Sequence, residues 1–517
     1  MKNIFKILLI IKISILLGSL TLNGQSFTAT GFQYHYRVGA DNTLDKPIVI
    51  LEGFDIDDSK SASSHYNDWS GFLDVLENHG YDVIALSYND PYKSMHDNTQ
   101  HLKDFIKEVN NKKAGNYEMT IIGQSMGGVI ARMALAELED ESYDHQAGLY
   151  VSFDAPHRGA NIPLGIQTFT ENFFEVDLVE ELSAYYIIFD IFIRLFTLGS
   201  VDLPEPHIVY MNALHSTAAQ QMLIYHSKHS ENDNKYEDLQ SYLENLGYPQ
   251  KSKNIALING NNIGQELGVS EGENYYHKEW GNCNVGSYTF DIDISETNFE
   301  HDRVSLVRAR TLFCKNITAK QGHGDFGSLF WDNAPGAYYD SEIKDQIGGS
   351  GVEKFCFMPT ISSIDLNPSD YYVADYIGGM PLFKMFGLDG FNVDEGRDAQ
   401  FLIENDHVPF DNIYSNGINT GHVNESWTLT QNRINDIIDQ QIMWERKYLQ
   451  NRTITRDRDF EAVTSITAGE NVRSFQNQYN GKIGEFIVES GKTKFSAPEV
   501  ILEGGFEVKP GAEFEIE

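Results

Sequence analysis

The chain has 517 residues, enough for two or three domains, and 41% of them are hydrophobic, enough to fill a large core. Asp and Glu outnumber Lys and Arg by 75 to 39, which gives a formal net charge of −36. Such an acidic chain should repel nucleic acid and anionic membranes, which argues against both as partners, and the charge is typical of a soluble extracellular protein.

The N-terminus has the pattern of a signal peptide. Basic residues precede a short apolar run from Ile13 to Leu22, and the small residue Gly24 offers a cleavage point. The run is far shorter than the roughly 20 residues that a membrane span needs. We therefore expect a signal peptide over residues 1–25 and a secreted or cell-surface protein.

Strand-like and helix-like segments alternate in the next part of the chain. A helix with one apolar face is predicted over His101 to Val109, and a second runs to Leu138. The strand-like segments are Phe32 to Val38, Ile48 to Leu51, Tyr81 to Tyr88, Tyr117 to Ile122 and Gly148 to Phe153. This alternation predicts a mostly parallel sheet with helices on both faces.

The pattern changes three times after this point. Residues of about 160–250 read as a helical insertion with aromatic runs, and residues of about 265–400 form an irregular insertion whose arrangement the sequence does not give. A strand returns at Asn254 to Gly260, and a closing helix is predicted over Asn432 to Leu449. We expect one α/β domain over 26–450 and a small β module over 455–517.

Gly123-x-Ser125-x-Gly127 lies between a buried strand and a helix, which is the nucleophile-elbow pattern. The turn is so tight that a side chain at either glycine would clash. It pushes the Ser125 hydroxyl out above the sheet edge and sets it at a helix N-terminus, where free N–H groups favour negative charge. Ser125 is the candidate nucleophile.

Residues of about 46–165 resemble α/β-hydrolases of the lipase and esterase class. Two segments carry the resemblance: the elbow Gly123-Gln124-Ser125-Met126-Gly127-Gly128 and the later Asp154-Ala155-Pro156-His157-Arg158-Gly159. The resemblance implies an α/β-hydrolase fold and a serine hydrolase that cleaves carboxylic esters. It also implies a triad in the chain order Ser, acid, His.

The base must therefore lie late in the domain, and His422 fits best because its loop comes just before the predicted closing helix. His407 and His157 are its rivals, and in the resembling enzymes the histidine at the place of His157 is structural. Asp154 is the candidate acid, since pancreatic-lipase-like members carry the acid at the end of this strand. Three alternatives stay open for the acid: Glu266, Asp406 and Asp411.

A tetrahedral intermediate needs two N–H donors to its oxyanion. The backbone of Met126, next to the nucleophile, should supply one, and Phe54 in the loop after Leu51 the other. The resembling enzymes often have His-Gly in that loop, whereas this chain has Glu52-Gly53.

The insertion at 160–250 lies where lipases carry a lid, so its apolar runs fit a lipid-like ester, although core packing explains them equally well. No motif indicates a metal or cofactor. The three cysteines Cys283, Cys314 and Cys356 allow one disulfide with one thiol left over, and the spacing does not choose the pair.

The tail from Val500 to Ala512 resembles a β repeat of bacterial surface proteins that are exported by the type IX route. This resemblance implies cell-surface association. The same triad also supports a peptidase or an acyltransferase, and a surface-binding protein on an inactive hydrolase scaffold is the alternative from a different class.

Overall fold

The structure is a computed structural model. It describes residues 26–56, 58–78, 80–115, 117–164, 166–167, 211–228, 234–260, 267, 274–283, 288–299, 302–310, 316–325, 334, 336–340, 354–366, 408–415, 419–422, 444–449, 452–454, 458–470, 472 and 485–517. The predicted signal peptide lies outside the described residues, as do His407, Asp406, Glu266, Cys314 and most of the predicted lid.

The described chain contains α-helices and β-strands throughout, numbered in chain order. The helices are α1 Ala62–Asp68, α2 Ser70–Asn78, α3 Met95–Lys112, α4 Met126–Asp140, α5 Thr217–Met222, α6 Lys235–Leu246 and α7 Thr360–Ser363. The strands are β1 Phe32–Arg37, β2 Pro47–Leu51, β3 Asp82–Tyr88, β4 Met119–Gln124, β5 Ala147–Phe153, β6 Lys253–Ile258, β7 Asn274–Cys283, β8 Tyr288–Phe299, β9 Asp302–Arg310, β10 Asn316–Asp325, β11 Gly336–Asp340, β12 Lys354–Pro359, β13 Asn412–Ser415, β14 Trp444–Leu449, β15 Arg452–Ile454, β16 Arg458–Ala468, β17 Phe486–Val488, β18 Lys492–Ser496, β19 Glu499–Leu502, β20 Phe506–Val508 and β21 Glu513–Ile516.

A seven-stranded sheet in the order β1-β3-β2-β4-β5-β6-β13 forms the centre of the larger domain. Its first strand, β1, pairs antiparallel with β3, and the other six strands run parallel. Helices cover the sheet, and its carboxyl ends meet at one edge. This is the α/β-hydrolase fold, as the sequence predicts.

The side chains of β2 point alternately to the two faces of the sheet, which shows why its apolar run forms a central strand. Val49 and Leu51 pack into a core with residues of α3 and α4, whereas Ile48 and Ile50 pack into a second core with residues of α1 and α2. All five residues of β2 are buried. A strand covered on both faces therefore needs an unbroken apolar run rather than a two-residue alternation.

The two insertions take different forms. The described part of 160–250 contains α5 and α6. The described part of 265–400 contains an antiparallel sheet in the order β10-β9-β8-β7 and a separate antiparallel pair, β11 and β12. Among the described residues, no helix combines the length and the apolar character that crossing a bilayer requires.

The C-terminal module is a stack of parallel strands. Each of its described strand pairs is parallel, including β16 with β18, β18 with β21 and β17 with β20. Buried phenylalanines fill its interior, among them Phe460, Phe486 and Phe495. The helix predicted over 432–449 is wrong for Trp444–Leu449, which form β14 and pair with β16. Trp444–Leu449 therefore pair with this stack.

Candidate active site

Ser125 lies in a strained turn between β4 and α4. Its φ of 50° and ψ of −123° are a conformation that residues with side chains rarely adopt. Its amide donates to the Phe153 carbonyl at 2.8 Å, which ties the turn to β5. A Cβ on Gly123 would lie 2.4 Å from the Gly127 carbonyl oxygen, so the strand reaches the helix only with glycine at that position.

The structure brings Ser125, His422 and Asp154 into one chain of hydrogen bonds. His422 Nε2 lies 2.9 Å from Ser125 Oγ, and His422 Nδ1 lies 2.7 Å from Asp154 Oδ2. An ionised carboxylate only accepts hydrogen bonds, so Nδ1 carries the ring proton and Nε2 is left to accept from the serine hydroxyl. This is the geometry that general-base activation of a serine requires.

Main-chain hydrogen bonds hold the His422 loop over the sheet edge. The amide of His422 donates to the Tyr338 carbonyl at 2.9 Å, and the amide of Thr420 donates to the Asn259 carbonyl at 3.0 Å. The ring of Phe357 lies 4.8 Å from the His422 ring, edge to face. The loop is therefore fixed by β11, β12 and the residue that follows β6, all of them distant from His422 in the sequence.

Asp154 is held by more than the histidine. It has a φ of 47° at the end of β5, and its carboxylate is fully buried. Oδ1 accepts from the Asn259 amide at 3.2 Å and from the Ser363 hydroxyl at 3.1 Å. These two donors fix the carboxylate with Oδ2 toward the imidazole.

One candidate oxyanion donor, Met126, follows Ser125 in the chain, and the other, Phe54, follows Gly53. Met126 is the first residue of α4, so its N–H has no acceptor within the helix. Gly53 lies against the nucleophile, because a Cβ there would be 3.0 Å from Ser125 Cβ and 3.6 Å from Ser125 Oγ. Phe54 follows it, with its ring 5.8 Å from that of Tyr92.

The unexpected Glu52 is buried beneath this loop. Its carboxylate accepts from the Ser87 hydroxyl at 2.7 Å and from the Tyr88 amide at 2.6 Å. Burial raises the pKa of Glu52 to about 7, and the two hydrogen bonds oppose that rise. The residue therefore points away from the site mouth and into the sheet.

The other candidates have different surroundings. His157 lies in the core, with Nε2 2.7 Å from Ser152 Oγ, and burial lowers its pKa to about 3. Asp411 accepts from the Asn254 amide at the start of β6, which is the edge opposite Ser125.

Glu266, Asp406 and His407 lie outside the described residues. Cys356 is buried in β12, and the pairing of the cysteines stays a prediction.

No pattern in the sequence pointed to the residues that brace the acid. Ser362 bridges the Arg158 amide and the Gly159 carbonyl, and Asp365 binds both Arg132 and Arg158. With Ser363, these side chains clamp the loop that carries Asp154. Ser362, Ser363 and Asp365 lie within the irregular insertion of 265–400 and form no periodic pattern. Among the described residues, no group of His, Cys, Asp and Glu is arranged to hold a metal ion.

Residues 59–186 match the family described as PGAP1-like alpha/beta domain. This stretch of the chain is therefore similar to PGAP1-like α/β domains. The matched range includes Ser125 and Asp154 and ends before His422. A search of curated protein sequences found no match.

Solved structures with partial likeness include hydrolases and esterases. Est1E from Butyrivibrio proteoclasticus is 13% identical with a TM-score of 0.20, and the match covers 24% of this chain and 46% of Est1E, about half its length. A lipase-esterase related protein from Clostridium acetobutylicum is 18% identical with a TM-score of 0.23, covering 44% of this chain and 79% of that one. The meta-cleavage product hydrolase CumD from Pseudomonas fluorescens is 15% identical with a TM-score of 0.23, covering 45% and 79%. At such identities and TM-scores, none of these likenesses bears on what the α/β-hydrolase domain acts on.

Proposed function

We propose that this protein is a secreted serine hydrolase that cleaves carboxylic esters through an acyl-enzyme, with Ser125 as nucleophile, His422 as base and Asp154 as acid. The continuous hydrogen bonding from Ser125 Oγ through His422 to Asp154, at 2.9 and 2.7 Å, carries the proposal. The fold and the family match are those of hydrolases, which supports the reaction class.

The proposed reaction has two halves. Ser125 Oγ attacks the ester carbonyl while its proton passes to His422 Nε2, and Asp154 stabilises the imidazolium that forms. The N–H groups of Met126 and Phe54 receive the oxyanion. His422 then returns the proton to the leaving alcohol, which departs. Water, deprotonated by the same imidazole, attacks the acyl-enzyme and releases the acid.

Apolar side chains beside the proposed triad support an ester with an apolar group. Phe54, Ile162 and Phe357 are only partly buried, and they pack on a small apolar cluster that includes Leu223 and Met358. Phe357 also contacts the His422 ring. An acyl chain or aryl group of the substrate would cover this apolar surface and remove it from water. A lipid-like ester fits better than a strongly polar one.

A fluorophosphonate probe tests the nucleophile. We expect the protein to be labelled and the variant Ser125→Ala to take no label, with kcat on a p-nitrophenyl ester lowered by about 10⁴-fold or more. Lack of labelling in the unaltered protein would contradict the proposal and favour a binding protein on an inactive hydrolase scaffold. Ser227→Ala, a serine outside the proposed site, is the matched control and should label normally.

The substrate needs a separate measurement. A series of p-nitrophenyl esters of increasing acyl length should give kcat/KM values that rise with chain length, as expected for an apolar binding surface. A preference for acetate over longer chains would contradict the lipid-like substrate while leaving the esterase intact. A peptide or an acyl acceptor that competes with water would instead indicate a peptidase or an acyltransferase.

Export is also part of the proposal, with residues 1–25 as signal peptide and the C-terminal module as the part that associates with the cell surface. Expression in a bacterial host, with and without residues 1–25, tests the first statement. The full chain should leave the cytoplasm with its N-terminus shortened, and the truncated chain should stay inside. Deleting 444–517 should release the exported enzyme from the cell fraction if the module attaches it.

A further inference from the structure

Glu52 stands where β2 leaves the sheet, one residue before Gly53 and two before Phe54. These three residues, Glu52–Phe54, are called the oxyanion loop here. The amide of Glu52 still donates to the Leu86 carbonyl, as in a parallel ladder. If the ladder continued, the amide of Tyr88 would donate to the main-chain carbonyl of Glu52.

The side chain takes over that acceptor role. The Tyr88 amide donates to Glu52 Oε1 at 2.6 Å, and the Ser87 hydroxyl donates to Oε2 at 2.7 Å. The main-chain carbonyl of Glu52 is thereby freed and turns toward α4, where a Cβ on Gly127 would lie 2.4 Å from it. The chain can leave the strand here without leaving a buried Tyr88 amide unpaired.

We propose that Glu52 is a positioning residue that sets the oxyanion loop through its hydrogen bonds to Ser87 and Tyr88. This inference rests on the proposed esterase function. The carboxylate fixes one end of the loop to β3, and the carbonyl packs against α4. Gly53 is thus held against Ser125 and the Phe54 amide is aimed at the developing oxyanion.

The burial of the group supports a positioning role. Only 3% of Glu52 is exposed, so it does not contact substrate. Burying a carboxyl group is unfavourable, as its raised pKa shows, and a main-chain acceptor would satisfy Tyr88 without that cost. The burial of the Glu52 carboxyl group is explained if the site requires the Glu52 carbonyl to turn toward α4 and the oxyanion loop to leave the strand at this point.

Two substitutions separate positioning from charge. Glu52→Ala removes both hydrogen bonds, and we expect kcat to fall at least about ten-fold with KM within about two-fold, because oxyanion donors act in the transition state. Glu52→Gln keeps an oxygen for Tyr88 and offers an N–H to Ser87, so its kcat should stay within about three-fold of the parent value. Ser87→Ala removes one bond, and its kcat should fall between these values.

Glu139→Ala is the matched control. Glu139 is a buried carboxylate that accepts from the amides of Gln250 and Lys251, and it lies near the far end of α4 from Ser125. Its loss should lower the melting temperature but leave the kcat per labelled active site unchanged. Should Glu52→Ala fail to fold, Ser87→Ala and Glu52→Gln still decide the question by the same kcat comparison.

Four results would overturn the inference. They are an unchanged kcat in Glu52→Ala, an effect on KM alone, an equal loss of kcat in Glu139→Ala, and an equal loss in Glu52→Gln, which would assign the effect to charge. If the parent protein takes no label and cleaves no ester, the proposed function fails and this inference falls with it. An active parent matched by Glu52→Ala overturns the role of Glu52 alone.

Discussion

The two halves of the candidate site are built in different ways. The elbow half, residues 123–128, is formed by neighbouring residues whose backbone permits only one turn. The acid–base half joins Asp154 to His422 across 268 positions and braces Asp154 with Ser363 across 209. The first depends on local sterics, whereas the second depends on the whole sheet being assembled.

This difference explains what the sequence could reveal. The elbow was predictable because a tight turn from an apolar strand into a helix requires glycine on either side of the serine. His422 was favoured only by its place late in the domain. No sequence pattern identified Ser363 and Asn259 as partners of Asp154, because a contact between distant segments imposes no residue spacing on either segment.

The same reasoning applies to the fold. The parallel sheet was predicted because continuous apolar runs alternate with helical patterns. The helix predicted over 432–449 is wrong at Trp444–Leu449 because recurring apolar residues also fit a strand, and only pairing with β16 decides between them. Residues of about 265–400 are rich in Gly, Asp, Asn and Tyr and show no clear period, so the antiparallel sheet β7–β10 was not predicted.

The largest expected effect comes from a substitution that disrupts only the acid–base half of the site. In Asp154→Asn, the side-chain oxygen should stay with the Asn259 and Ser363 donors, which turns the amide N–H toward His422 Nδ1. The imidazole would then carry its proton on Nε2 and could not accept from Ser125. We expect kcat on a p-nitrophenyl ester to fall about 10⁴-fold at neutral pH with the fold intact.

Asp411→Asn is the control for this variant, since Asp411 is a carboxylate at the opposite edge of the same sheet. It should keep kcat within about two-fold, because it touches no reacting group. An Asp154→Asn enzyme that retained a tenth of the parent activity would move the acid to a different residue, and Glu266 and Asp406, the alternatives outside the described residues, would then be the variants to test.

The next effect tests the elbow half. Gly127→Ala would bring a Cβ to 2.4 Å from the Glu52 carbonyl and 2.8 Å from the Leu51 carbonyl, so the oxyanion loop must move. We expect kcat to fall about 100-fold, the scale of a lost oxyanion donor, and stability to fall by about 2 kcal/mol from overpacking. Initial-rate assays measure kcat, and urea unfolding measures the loss of stability.

Gly71→Ala gives the comparison for that variant. Gly71 lies in α2, and a Cβ there would meet no atom within 4 Å, so the helix should gain slightly in stability. Equal activity losses in the two glycine variants would show that the elbow is no more constrained than an ordinary helix, and the contrast between the two halves would disappear.

The smallest effect concerns the brace on the acid. Ser363→Ala removes one donor to Asp154 Oδ1 and leaves the Asn259 amide in place. A hydrogen bond to a charged group contributes roughly 1.5 kcal/mol, so kcat on a p-nitrophenyl ester should fall about ten-fold. Replacing the neighbouring Ser362 removes more hydrogen bonds, since its hydroxyl accepts from the Arg158 amide and donates to the Gly159 carbonyl. Neither of these bonds involves the Asp154 carboxylate. Ser362→Ala should therefore destabilise the protein more and slow it less. The reverse order would mean that the segment supports the loop as a whole and that Ser363 has no specific part in orienting Asp154.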